Sequence, residues 1–304
     1  MKTFFLSLVI LSLLNLSCSK ARESTPFLSA ASSTGAGNNT AIETSQTAGG
    51  IEINAENKNG VQYNEDSDKE FFIEDFWSNS FAQAGIPESI KENILSNLTQ
   101  GPDFIMELFL VLEGDPDLYL LVDKQHGLSR NYVPADLVDL AGASYRVTRQ
   151  GLTLRKAAAE SLEAMAAAAG LEGVILTAGS AYRSFEYQVD LYNRNVRELG
   201  QQAADRESAR PGFSQHQLGL VVDFSPIDDS FALTPASRWL EKNAARFGWC
   251  ISFPNGYEEA TGYKWESWHF RYLGKDLAAF TAKYFGGIQQ YCLQFIHAWI
   301  NAPD

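Results

Sequence analysis

Ser214-Gln215-His216-Gln217-Leu218-Gly219-Leu220-Val221-Val222-Asp223 is the stretch on which the reading of this chain turns. Leu-Gly-Leu-Val-Val-Asp-Phe has the apolar density of a buried strand, yet Asp223 sits inside it. An unpaired carboxylate there is costly unless a metal or a cation binds it. His216 stands seven residues earlier, at the end of a loop that enters the strand through Gly219. A second stretch has the same character: Glu266-Ser267-Trp268-His269-Phe270-Arg271-Tyr272 reads as a strand with a histidine at its start. A single histidine near a strand is commonly a satisfied core residue, and an aspartate in an apolar strand is sometimes paired with arginine. Two such segments in a chain of four histidines favour one shared ion. His216, Asp223 and His269 would supply two imidazoles and one carboxylate with a coordination position left open, as a catalytic zinc requires. Glu266, three residues before His269, would stand beside that position as a general base. It would take a proton from metal-bound water and pass it to the leaving amine.

Working outward, Leu118–Lys124 reads as a strand followed by a long loop. Leu152–Leu171 reads as an Ala-rich helix of high propensity. Gly173–Ser184 reads as a strand running into a loop, and Phe185–Leu199 as a helix. A helix from Ser237 ends at Gly248, the Trp268–Gly274 stretch is a strand, and helix resumes from Asp276 to the C-terminus. Connections between the late strands are short, so the expected class is α+β: a small antiparallel sheet carrying the metal site with helices packed against it. Residues 70–117 read as short amphipathic helices with early prolines, a helical appendage or lead-in ahead of the sheet. The core domain is expected over 118–283, with a C-terminal helical extension over 284–304.

The N-terminal residues carry a different message. After Lys2 comes an apolar stretch too short to span a bilayer, which reads as a signal peptide over 1–18. Leu14-Asn15-Leu16-Ser17-Cys18 resembles a bacterial lipoprotein signal, which implies lipid on Cys18 and an exported protein held to the bilayer through that anchor alone. Residues 19–69 are rich in Ser, Thr, Gly, Asn, Ala and Glu and read as a flexible tether. The formal net charge of −13 excludes nucleic acid as a partner, because nothing could neutralise a run of phosphates. Cys250 and Cys292 remain as an even pair in a compartment that permits disulfides. They are either two buried thiols or a bridge holding the C-terminal helix.

The ordered combination of motifs resembles the VanY-type D-alanyl-D-alanine carboxypeptidases, zinc peptidases related to the D-Ala-D-Ala dipeptidases and sharing the hedgehog fold. The resemblance rests on Ser-x-His-x-x-Gly-x-x-x-Asp at 214–223 and Glu-x-Trp-His-Phe-Arg-Tyr at 266–272. It is supported by Ser180-Ala181-Tyr182-Arg183-Ser184 with Gln188, and by Lys124-x-His126-x-Leu128 with Tyr132-Val133-Pro134-x-Asp136-Leu137. It covers about 118–280. It implies one Zn2+ per chain on His216, Asp223 and His269, and Glu266 as the base. Arg183 would meet a substrate carboxylate or developing oxyanion, for which its charged fork is suited. Ser214 and Gln188 would bond the terminal D-alanine of a peptidoglycan stem peptide, with Tyr182 and Trp268 as pocket walls. The same family implies an L,D-carboxypeptidase acting on tetrapeptide stems as an alternative. A wall-binding lipoprotein with a degenerate site is a third reading, and the intact ligand set and Glu266 count against it. Departures from the family pattern are Gln215 where glutamate is common, Ala181 where glycine is common, and the Leu-Val-Val run after Gly219. His126 and His297 are expected to be structural.

Overall fold

The apolar run that carries Asp223 does become the middle of a sheet. In the computed structural model, which describes Trp77 and residues 81–302, β5 (Val221–Phe224) is buried at every position. It lies between β4 (Thr177–Ser180) and β7 (His269–Tyr272) in a five-stranded sheet ordered β2-β4-β5-β7-β6. Here β2 is Arg146–Val147 and β6 is Trp249–Ile251. The sheet is antiparallel as expected, except that β2 and β4 pair parallel at one edge. A separate two-stranded ladder joins β1 (Leu137–Asp139) to β3 (Thr153–Arg155). The expected signal peptide, the tether and Cys18 lie outside the described residues.

Helices cover the sheet. The Ala-rich segment starts as β3 and becomes helical only at Lys156, giving α3 (Lys156–Leu171) rather than a helix from Leu152. Its buried face, Ala158, Leu162, Met165, Ala166 and Ala169, joins Leu176, Ala178, Val222, Phe224 and Trp249 in one core. α4 spans Phe185–Leu199, as the sequence predicts, and is capped by the Ser184 hydroxyl, which accepts from the Tyr187 N–H. That satisfies one of the donors a helix start leaves open. α5 is Gln201–Glu207. α6 (Pro235–Asn243) begins with proline at its first turn and runs through a 3-10 turn to Gly248. Gly248 is left-handed (φ 86°), and a Cβ there would lie 2.7 Å from the Gly274 backbone. Only glycine fits that crossing. A short α7 (Glu258–Thr261) precedes β7.

The expected strand at Leu118–Lys124 does not form; Pro116–Leu118 is a 3-10 turn and the rest is irregular, with bends at Tyr119, Asp123 and Lys124. Its carbonyls have another partner. Arg271 on β7 is fully buried and donates through Nη2 to the carbonyls of Leu120 (2.8 Å), Leu118 (3.1 Å) and Asp117 (3.3 Å). A guanidinium thus takes the place of a neighbouring strand.

The described parts of the lead-in and of the C-terminal extension belong to the same compact unit as the sheet. α1 (Glu88–Gln100) and α2 (Asp103–Leu112) pack on α8 (Lys275–Tyr284). α9 (Gln289–Asn301) closes the layer. Trp299 stacks on Trp77 with ring centroids 4.3 Å apart, and Phe295 meets Phe104 at 5.8 Å and Phe285 at 5.5 Å. Cys250 and Cys292 are both free and buried, which corrects the bridged alternative. Burial pushes both thiols up, leaving them protonated and inert. Aromatic packing holds α9 without a covalent tie. Denaturing the unreduced protein should therefore release two thiols that map by mass to Cys250 and Cys292. Phe295→Ala should cost about 3–5 kcal/mol in urea unfolding, the usual penalty for emptying a buried aromatic site.

Candidate metal centre

Three strands and one turn deliver the site. Asp223 on β5 is in register with His269 on β7 and with Ser180 at the end of β4. A register shift between Ala178 and Ser180 bends β4 away beside Asp223, and the chain then turns through Ala181 and Arg183. His216 sits in the 3-10 turn Gln215–Leu218, which ends at Gly219 in the left-handed conformation (φ 68°). The Ala181–Arg183 segment holds that turn twice. The His216 Nδ1 bonds the Ala181 carbonyl at 2.6 Å, and the Arg183 N–H donates to the His216 carbonyl at 3.3 Å.

A carbonyl can only accept, so Nδ1 carries the proton and Nε2 presents a lone pair. Burial pushes His216 down to about 4, with the Arg183 charge adding to the effect, so the ring is neutral near pH 7. The His216 Nε2 lies 3.1 Å from Asp223 Oδ2, and the His269 Nδ1 lies 3.0 Å from Asp223 Oδ1. Neither Asp223 Oδ1 nor His216 Nε2 has a hydrogen-bonded partner, although all three side chains are buried. One ligand atom from each residue falls within 4.8 Å of the others. Buried polar atoms drawn this close without bonding one another call for a missing partner. Two imidazoles and a carboxylate around one point fit a divalent zinc-type ion.

Glu266 approaches the group from the side. Its Oε2 is 3.3 Å from His269 Nδ1, and its N–H donates to the Phe253 carbonyl, which fixes the start of β7. Burial alone would lower His269, but Asp223 and Glu266 outweigh it and lift the ring to about 9. The same two imidazoles draw Asp223 well below the usual carboxylate range against the opposing effect of burial. Arg183 Nη2 stands 3.9 Å from Asp223 Oδ2, and its Nε is buried without a partner. Burial lowers the Arg183 guanidinium from its ordinary value.

The metal group lies where two spaces meet. A recess of about 50 Å3 is lined by Arg183, Ser214, His216, Glu266, His269 and Tyr263. A cleft of about 670 Å3 opens from Arg183, Asp223 and Glu266 along α4 and is walled by Leu191, Ile227 and Trp268. The structure thus brings together His216, Asp223, His269, Glu266, Arg183, Ser214 and Trp268. Gln188 is buried and spends its amide on the Ala209 carbonyl at 2.7 Å, and Tyr182 is half-buried with its N–H on the Thr153 carbonyl. Neither lines the recess or the cleft. Sequence reasoning missed Tyr263, Lys264 and Phe253, which border these spaces from loops without periodicity, and Glu207 at the end of α5. Tyr263 had one usable signal, an aromatic in a Gly-Tyr-Lys loop three residues before Glu266. His126 and His297 lie together, ring centroids 4.6 Å apart, away from this group.

Comparison with known proteins agrees with this geometry. The family model described as VanY, D-alanyl-D-alanine carboxypeptidase, matches residues 151–275. YodJ of Bacillus subtilis (strain 168) is 36% identical over 175 residues, 55% of this chain and 64% of that protein. The D-alanyl-D-alanine carboxypeptidase of Enterococcus faecalis (strain ATCC 700802 / V583) is 36% identical over 120 residues, 36% of this chain and 45% of that enzyme. The chain therefore spans roughly half to two thirds of the length of these curated relatives. Among solved structures, the LdcB LD-carboxypeptidase superposes with a TM-score of 0.52 at 33% identity, covering 57% of this chain and 88% of that one.

Because three ligands leave no redundancy, His216→Ala, Asp223→Ala and His269→Ala should each abolish stoichiometric zinc binding. Zinc at full occupancy in His269→Ala, by elemental analysis, contradicts the ligand set. His269 is protonated below about 9 in the absence of metal, and a metal must displace that proton. Zinc affinity should therefore rise as pH rises towards 9, with proton release on binding at pH 7. Calorimetry in buffers of different ionisation enthalpy reads that proton directly.

Proposed function

The chain belongs to the VanY-type D-alanyl-D-alanine carboxypeptidase family, and from that premise we propose that it is a zinc D,D-carboxypeptidase removing C-terminal D-alanine from peptidoglycan stem peptides. The observation that carries the proposal is the position of the His216–Asp223–His269 group at the junction of a recess and a long cleft. A space of about 50 Å3 suits a single small terminal residue, whereas the larger cleft suits the peptide ahead of it. Exopeptidase geometry needs that asymmetry.

When bound, zinc would supply Lewis-acid polarisation and would lower the pKa of water at the site. The rest falls to the side chains. Arg183, with an unpartnered Nε and a charged face on both spaces, binds the terminal carboxylate or the oxygen that becomes anionic. Ser214 offers a hydroxyl in the recess. Glu266 accepts the proton of the attacking water at its carboxylate and gives it to the amine of the departing D-alanine. Trp268 and Phe253 keep bulk water from the reacting group.

The likeness to the LdcB LD-carboxypeptidase supports a second reading, L,D-cleavage of tetrapeptide stems by the same machinery. Residues 2–18 support export and a lipid anchor on Cys18, so the same proposal makes the enzyme an exported, membrane-anchored lipoprotein facing the periplasm or the cell exterior.

Chelator-sensitive release of D-alanine from a pentapeptide stem and not from a tetrapeptide is the expected result, and the reverse preference selects the L,D-reading. No release from either substrate by the zinc-loaded protein ends both. Glu266→Gln keeps the shape but loses the proton acceptor, so zinc should be retained while kcat falls by about 10² to 10⁴. Arg183→Lys should keep the charge and lose the fork, lowering kcat/KM by about 10-fold or more.

A further inference from the structure

α9 lies beyond the 151–275 stretch that matches the family model, yet its first two residues reach back to the metal group. Gln289 is 1% exposed and Gln290 3% exposed. The Gln289 Nε2 donates to Ser252 Oγ at 2.9 Å and to the Cys250 carbonyl at 3.3 Å. Ser252 Oγ donates to Gln215 Oε1 at 2.7 Å, and the Gln215 Nε2 donates to the Val122 carbonyl at 3.3 Å. The next residue, Asp123, accepts from the Gln290 Nε2 at 3.0 Å. The bonds therefore run in a closed ring: Val122–Asp123, Gln290–Gln289, Ser252, Gln215 and back to Val122.

The ring touches both histidine ligands through covalent or backbone links. Gln215 is the residue before His216. Ser252 donates its backbone N–H to the His269 carbonyl at 3.1 Å. The direction of every bond is forced, because the Val122 and Cys250 carbonyls only accept. Ser252 must then give its proton to Gln215, and Gln215 must present its oxygen to Ser252 and its nitrogen to Val122. A carboxylate at 215 cannot donate to Val122, and a charge there would be buried. A ring with one allowed arrangement, sealed from water, resists rotation of any member.

We propose that Gln215, Ser252 and Gln289 are positioning residues for the metal centre, through which the C-terminal helix sets the spacing of His216 and His269. This rests on reading those histidines as metal ligands. Ser252 and Gln289 line neither the recess nor the cleft, and Gln215, which borders the recess, has its amide engaged by Ser252 and Val122. Orienting groups behind metal ligands ordinarily carry 10- to 100-fold in metal affinity.

The test uses the purified full-length chain, with zinc affinity measured by competition against a chromogenic chelator well below the melting temperature. Gln289→Met keeps the volume and removes the bonds; Ser252→Ala removes one oxygen. Each should weaken zinc binding about 10-fold or more. The double variant should cost less than the two single losses combined, because both break one chain of bonds. Ile296→Val, on the same helix but outside the ring, should lower stability and leave zinc affinity unchanged. If Gln289→Met does not fold, Ser252→Ala decides alone. Single variants that lower the melting temperature yet bind zinc within twofold of the parent overturn the proposal. A parent chain that binds no zinc overturns the metal-site reading itself, a different failure.

Discussion

The structure depends on one buried carboxylate. Asp223 lies on the strand with neighbours on both sides, where every residue from Val221 to Phe224 is enclosed. Its oxygens stand 3.0 and 3.1 Å from two imidazoles. Placing an ionised group there costs several kcal/mol unless opposite charge comes with it. The fold meets that constraint by register. β7 sets His269 directly opposite, the Gly219 turn swings His216 in from the same strand's own lead-in, and the end of β4 places Arg183 at 3.9 Å. A shift of one residue in β5 would turn Asp223 to the other face of the sheet and separate it from all three.

A second buried charge solves a different problem on the neighbouring strand. Arg271 is two residues past His269 and so shares its face of β7. Its guanidinium binds carbonyls from 117, 118 and 120, and burial lowers it to about 10. The segment from Asp115 to Lys124 is held by side chains: Arg155 takes the carboxylates of Asp115, Asp117 and Asp136, and Lys124 lies over the Tyr263 ring. β7 therefore orients a ligand at one end and anchors the lead-in at the other.

These facts explain what could be read from the sequence. The two metal-site stretches were legible because their oddity is local: an ionisable residue inside an apolar run is visible without knowing the fold. Phe185–Leu199 was legible because its cap and its amphipathic pattern agree. Leu118–Lys124 misled because an apolar run of strand length carries no sign that its carbonyls will be claimed by an arginine some 150 positions later. Leu152–Leu171 misled at its start because Thr153–Arg155 pairs with Leu137–Asp139, and ladder pairing outweighs the propensity of the adjoining helix. The aromatic ends of α9 were visible, but their partners Trp77 and Phe104 lie far away in sequence. The sequence therefore suggests a covalent tie for a helix that ring packing already holds.

The charge balance of the centre gives the last step. Without metal, Asp223 and Glu266 contribute two negative charges, Arg183 one positive, and His269 a second positive because its carboxylate neighbours keep it protonated up to about 9. His216 is neutral. The set sums to zero, which is why a group this charged can be buried at all. With a dication held by His216, Asp223 and His269, the His269 proton would be lost and the centre would carry one net positive charge. The recess beside it would then favour an anion, which on the proposed function is a terminal carboxylate of the peptide or the oxygen that gains charge as the bond breaks. On the function proposed above, the loaded site would prefer peptides that end at the metal over those that run past it, with charge and the small recess acting in the same direction.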